Sequence, residues 1–196
     1  RFIASDMAGN VSTATYVVLV DTVIFCPTQK TVCASGCDAT TISGGVAALG
    51  SALSGHSCVI VMDSRTYPEQ VVVEGITMGA SSMTIMSHPS VVPHPVVDPG
   101  GFTAGFDIRA ASVNIFGIDI KPTGAATYGI LVSSQFVKIS SVNVDSGGQI
   151  TGAGIYISSH LATISYTSVT VQVAHGIYLN SVSSVNVFYS SAQATG

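Results

Sequence analysis

The stretch Gly105-Phe-Asp-Ile-Arg-Ala-Ala-Ser-Val-Asn-Ile-Phe-Gly-Ile-Asp-Ile120 is echoed, without a gap, by Gly129-Ile-Leu-Val-Ser-Ser-Gln-Phe-Val-Lys-Ile-Ser-Ser-Val-Asn-Val144. Apolar residues coincide at 106/130, 108/132, 113/137, 115/139, 118/142 and 120/144. Short runs within each copy alternate apolar and polar side chains, the period of a strand with one buried face. Gly154-Ile-Tyr-Ile opens a third copy at +25 and Gly176-Ile-Tyr-Leu a fourth at +22, with small insertions later in each. Upstream, Gly75-Ile-Thr-Met is expected to begin the same template 30 residues before Gly105.

A unit of about two dozen residues made of short strands and Gly/Ser turns has no helical period between its strands. It cannot bury an inner face alone. It does so by stacking in register on its neighbours, with parallel ladders and columns of like residues. The expected fold is therefore all-β, a right-handed parallel β-helix, with the proline-rich residues 87–99 as a loop insertion. A short capping helix is expected at its start, where Ile42, Val46, Leu49 and Leu53 recur on one helical face after Thr40 or Thr41.

Composition suits this class. Only 16 of 196 residues are charged, 47% are apolar, and the formal charge is −4. With no cluster of Lys or Arg there is no footprint for nucleic acid. No apolar run approaches the ~20 residues of a spanning helix, so no membrane span is expected. Cys26, Cys33, Cys37 and Cys58 all lie in the first third. An even count in a Ser/Thr-rich chain favours disulfides and an oxidising compartment, with three pairings open; buried free thiols are the bland alternative. Their spacing is a poor match to a zinc site, so neither metal nor cofactor is expected.

The order around Gly36 to Leu49, then an Ile-Val-Met strand, then Thr66-Tyr-Pro-Glu-Gln-Val-Val-Val73 resembles the N-terminal cap and first coil of the pectate lyase/pectin esterase superfamily of right-handed β-helices. The resemblance covers about residues 30–196. It implies structural roles for Tyr67, packed at a corner, and Glu69, at a strand edge, and it is specific for fold, not activity. Residues 1–22 are similar to the last two strands of bacterial immunoglobulin-like repeats, with Asp6, Gly9 and Asn10 as turn formers; an ordinary hairpin of the β-helix itself is the alternative. The expected organisation is thus residues 1–25 as the end of a preceding domain or a linker, and 26–196 as the β-helix. Because the chain opens in mid-pattern and stops just after a strand, it is expected to be a segment of a large bacterial surface or secreted protein, continuous with domains on both sides. The sequon Asn10-Val-Ser12 carries little weight in such a protein.

Projected onto the ladder, outward positions stack as Asp107, Leu131, Tyr156, Tyr178; as Arg109, Ser133, Ser158, Asn180; as Asn114, Lys138, Thr163, Asn186; and as Asp119, Asn143, Thr170. No column brings two carboxylates together, as a glycosidase requires, and the catalytic runs of pectin esterases and polygalacturonases are missing. No catalytic residue is assigned. Asp107 with Arg109 is expected as a surface pair and Lys121 with Asp145 as a weak salt bridge. His160 and His175 are expected as solvated side chains, and His56, His88 and His94 as unpaired loop residues.

The best candidate for ligand binding is Tyr128, Tyr156 and Tyr178 with Ser158 and Asn180, aromatic faces for sugar rings beside groups for hydroxyls. Cross-strand Tyr–Tyr contact is the plainer account. The expected function is a non-catalytic module of a secreted or cell-surface protein, a stalk or an adhesion surface for a polysaccharide or cell-surface glycan. The alternative is a polysaccharide-active enzyme with its catalytic coils outside this segment.

Overall fold

The computed structural model describes residues 2–5, 11–14, 26–79, 81–172 and 174–195, the first two segments as backbone only. Strands Phe2–Ser5 and Val11–Ala14 pair antiparallel, with Phe2 opposite Ala14. The turn formers Asp6, Gly9 and Asn10 and the expected strand beyond Ala14 lie outside the described residues.

From Thr28–Val32 onward every strand pairing among the described residues is parallel. The chain visits three sheets in fixed rotation. Val113–Phe116 joins a seven-stranded sheet, Asp119–Ile120 a six-stranded one and Ala126–Val132 a five-stranded one; Lys138–Ser140, Asn143–Asp145 and Ile150–Ile157 repeat the circuit. The result is a parallel β-solenoid of about seven turns.

Aliphatic columns fill its interior. Ile130 lies opposite Ile155 and Ile155 opposite Ile177. Val59, Ile85, Ile115, Ile139 and Ile164 form a second column, and Ile120, Val144 and Val169 a third. All are buried except Ile177, which is half-buried in the last coil. Each buried side chain contributes about 1.5–3 kcal/mol, so a slip of one residue would forfeit a whole face.

The repeat glycines are there for lack of space. A Cβ on Gly105 would sit 2.9 Å from Gly129 O, one on Gly129 2.5 Å from Gly154 O, and one on Gly154 2.8 Å from Gly176 O. The same Cβ positions press on Ile120, Val144 and Val169, the interior residues of the six-stranded sheet.

The corners flanking the seven-stranded sheet use single left-handed residues. Ser112, Phe136, Leu161 and Ser184 have φ of +59, +58, +60 and +55°, while Gly117, Ser141, Tyr166 and Tyr189 have +62, +54, +50 and +48°. For a residue with a Cβ this conformation costs roughly 1–2 kcal/mol. It persists because ladders on either side hold the chain.

The start is closed by α1 (Ile42–Ala48), with Thr41 as N-cap. Both oxygens of Glu69 accept from its first turn, Oε1 from Ile42 N at 2.7 Å and Oε2 from Ser43 N at 3.0 Å, so a carboxylate complements the positive helix end. Ile42 and Val46 are buried, and Leu49 and Leu53 pack against the core. The helix is shorter than the 41–53 pattern because Leu49 is its C-cap and Gly50 turns the chain at φ +86°. Tyr67 is buried not at a corner but within the short strand Thr66–Pro68, its Oη donating to Asp63 Oδ1 at 2.7 Å. The cysteines pair Cys26 with Cys58 and Cys33 with Cys37.

Three further expectations need correction. Met83 and Ile85 do lie beneath Val113 and Ile115, but the strand under Phe106 and Ile108 is Val71–Val73, not the segment from Gly75. Residues 87–99 are not wholly a loop: Val96–Asp98 is a strand of the six-stranded sheet. Thr170 stacks on Asp145; the residue beside Asn143 is Ser168.

Candidate functional site

The sheet column forms as expected. Asp107, Leu131, Tyr156 and Tyr178 occupy matching positions of successive strands. The ring of Tyr128 lies 4.9 Å from that of Tyr156, tilted 44°, and Tyr156 stacks on Tyr178 at 5.5 Å and 22°. His175 sits 4.9 Å from Tyr178. Asn180 Nδ2 donates to Tyr156 Oη at 2.7 Å, and Ser158 Oγ bonds to Val132 O at 3.3 Å. The five residues are therefore brought together, but ring faces largely meet one another and the polar groups are engaged within the ladder.

The carboxylates are equally occupied. Each of the eight Asp and Glu side chains among the described residues has a partner. Glu69 caps α1. Asp63 accepts from Tyr67 Oη and Ala34 N beside Arg65; burial works to raise its carboxyl, yet these bonds and the Arg65 charge hold it below the usual range. The phenol of Tyr67 is correspondingly pushed up to about 12, by burial first and by Asp63 second. Asp98 accepts from Thr123 Oγ1 (2.7 Å), Thr123 N and Gly100 N (each 2.9 Å), which outweigh burial and lower it. Asp38 is lowered by the Thr31 amide and hydroxyl, with Lys30 nearby. Asp119 accepts from Asn143 N at 2.9 Å, and Asp145 meets Lys121 at 3.4 Å, as expected.

Asp107 is not the surface group expected from its column. It is 2% exposed, and Arg109 closes over it, with Nη2 2.6 Å from Asp107 Oδ2 and Nη1 2.6 Å from Glu74 Oε2. Asp107 and Glu74 raise the Arg109 pKa further. Asp107 Oδ1 has no hydrogen-bond partner.

His160 and His175 are exposed, as expected, but His56, His88 and His94 are not unpaired. His56 is a strand residue whose Nδ1 lies 2.6 Å from Ser82 Oγ; His88 Nδ1 is 2.7 Å from Ser90 Oγ and His94 Nδ1 3.4 Å from Asp119 Oδ1. Ser183 N donates to the exposed His160 at 2.9 Å. Folding also gathers ligand atoms of Cys26, His56 and Cys58 within 4.8 Å of one another, a proximity invisible in their spacing. The two sulfurs are joined as a disulfide, so this state offers no thiolate pair to a metal.

A second aromatic group stands at the left-handed corner. Tyr166 and Tyr189 stack at 5.1 Å and 10°, with Phe188 edge-on to both. Clefts lie on either side of Tyr166. One, of about 270 Å³, is bordered by His94, Asp119, Ser141 and Asn143; the other, of about 560 Å³, by Tyr189, Ser190 and Ser191. The repeat places Tyr166 and Tyr189 at equivalent positions, but no glycine or asparagine marked them as corner residues. A scan against protein-family models and searches of curated proteins and solved structures found no match to this chain.

Proposed function

We propose that residues 26–196 are a non-catalytic β-helix module of a secreted or cell-surface protein, serving as a stalk that presents an adhesion surface. The observation that carries this reading is the engagement of all eight described carboxylates in caps, turns and ion pairs, which leaves no free acid/base pair of the kind glycoside cleavage uses. Two disulfides suit an oxidising compartment. The buried Tyr67 and the helix-capping Glu69 support kinship with the right-handed pectate lyase/pectin esterase-like helices, and the antiparallel pair near residue 2 supports an immunoglobulin-like end of bacterial type. Within this reading Tyr128, Tyr156 and Tyr178 serve first as a stabilising ladder and offer a glycan their ring edges.

The test is turnover. Purified protein is incubated with polygalacturonate and with methyl-esterified pectin, and unsaturated ends, reducing ends and methanol are followed. None is expected above the blank. Formation of any of the three would contradict the reading.

A further inference from the structure

The corner column Gly117, Ser141, Tyr166, Tyr189 changes character halfway along. All four residues share the left-handed conformation, so their side chains leave the solenoid in the same way, one per coil. One face of the Tyr166 ring rests on Tyr189. The next two positions on its other side carry only a hydroxymethyl group and a hydrogen. The row ends at His94, whose Nε2 lies 3.7 Å from where a Cβ on Gly117 would stand. Coils are spaced by about 4.8 Å, so Tyr166 and His94 bracket a gap roughly two coils deep. That gap is the cleft of about 270 Å³.

Beside the ring of Tyr166 and Val142, its walls carry hydroxyl and amide groups. Ser141 and Asn143 come from one coil and Ser168 from the next, and Asp119 closes the side, accepting from Asn143 N at 2.9 Å and lying 3.4 Å from His94 Nδ1. An exposed aromatic face beside hydrogen-bonding groups of both kinds matches a pyranose ring, which has an apolar face of C–H groups and a rim of hydroxyls. The charge narrows the class. The cleft holds a carboxylate and its walls carry neither Lys nor Arg, so a polyuronate would meet repulsion without a cation to pair with.

We infer that the slot between Tyr166 and His94 binds an uncharged oligosaccharide, one sugar ring stacking on the free face of Tyr166. This goes beyond the stalk reading and is read out separately from it: the slot concerns binding, whatever the turnover assay returns.

Two opposite substitutions test it. Tyr166→Ala removes the platform. Ser141→Tyr fills the slot, and the backbone tolerates it because Tyr166 and Tyr189 already occupy the same left-handed position. The protein has seven Tyr and no Trp, so the part of the tyrosine emission change that Tyr166→Ala removes reports on the slot. Wild-type protein is titrated with cello-, xylo-, manno- and chito-oligosaccharides and with oligogalacturonate, by calorimetry and by tyrosine emission. Binding of at least one neutral series is expected, weakened roughly tenfold or more by Tyr166→Ala and equally by Ser141→Tyr, and unchanged by Phe102→Ala, at an exposed ring that does not line the slot. Unaltered thermal midpoints in Ser141→Tyr exclude misfolding as the cause. The inference is overturned if no neutral series binds, if oligogalacturonate alone binds, or if Tyr178→Ala abolishes binding while Ser141→Tyr leaves it intact.

Discussion

Tyr156 and Tyr166 are ten residues apart in the chain and stand in opposite situations. Tyr156 lies within a strand of the five-stranded sheet, half-buried, with Tyr128 on one side and Tyr178 on the other. Tyr166 lies at a corner, 61% exposed, with a ring on one side only. The same residue type thus does two things. In a sheet, register places a neighbour above and below every 4.8 Å or so, and Tyr156 is closed in by Tyr178 in register and by Tyr128 from beside Leu131. At a corner the ring stands clear of the ladder, and a change of residue from one coil to the next leaves a face open. Repetition makes structure; its interruption makes a site.

The largest effect should come from beneath the sheet column. Gly154→Val would drive a side chain against Gly176 O and Val169, two residues from Tyr156. Overpacking of this kind should cost roughly 3 kcal/mol or more, lowering the thermal midpoint by about 6–12 °C and dispersing the near-UV dichroism of the stacked rings. An unchanged midpoint would mean that the strand is not packed as described.

Tyr67 supplies a third, fully interior environment, and pH sharpens the contrast with the surface rings. Its folded value of about 12 lies above the ordinary tyrosine value of 10.0. The stability linked to that proton is therefore complete below pH 10 and is lost as pH rises through about 12. Tyr67→Phe should lose about 1–3 kcal/mol at neutral pH, since Asp63 forfeits a donor, and should flatten the alkaline dependence between pH 10 and 12. Denaturant melts across that window measure both. The same slope in the variant would place the titration elsewhere.

Smaller still is the difference between the columns themselves. Tyr156→Ala removes two ring contacts and an acceptor for Asn180, and about 1–2 kcal/mol should be lost. Tyr189→Ala, from a residue 76% exposed, should fall within about 0.5 kcal/mol of wild type. Equal losses would erase the distinction drawn between ladder and corner.

Much of the sheet was legible because burial enforces it. The Gly-Ile-x-Ile runs align only one way if aliphatic faces are to share an interior, and that alignment placed Ile130, Ile155 and Ile177, and Tyr128, Tyr156 and Tyr178, where they are found. The errors fell where pattern and space part company. Gly75-Ile-Thr-Met has the spelling of a repeat but lies outside the five-stranded sheet, whose strand here is Val71–Val73. Thr170 falls two residues out of place only if an insertion is assumed within 165–168; the offset of 25 residues from the previous coil is the same before and after that turn. Asp107 obeys the outward alternation, but Arg109 folds over it, and alternation does not report such cover. The corner escaped notice for a different reason. Phe136, Leu161, Tyr166 and Tyr189 adopt positive φ without the glycine or asparagine that signals it, because long-range ladders impose the conformation. The candidate slot is hidden with it, since it needs the corner, Ser141 one coil away and His94 from the coil three away.

All of this depends on successive coils lying directly over one another. Methyl-labelled protein in a nuclear Overhauser experiment measures that contact between isoleucines. Cross-peaks linking Ile130 to Ile155, Ile155 to Ile177, and Ile115 through Ile139 to Ile164 are expected. A spectrum without those links, or one joining Ile130 to an isoleucine of a different sheet at the same intensity, would contradict the stacked interior.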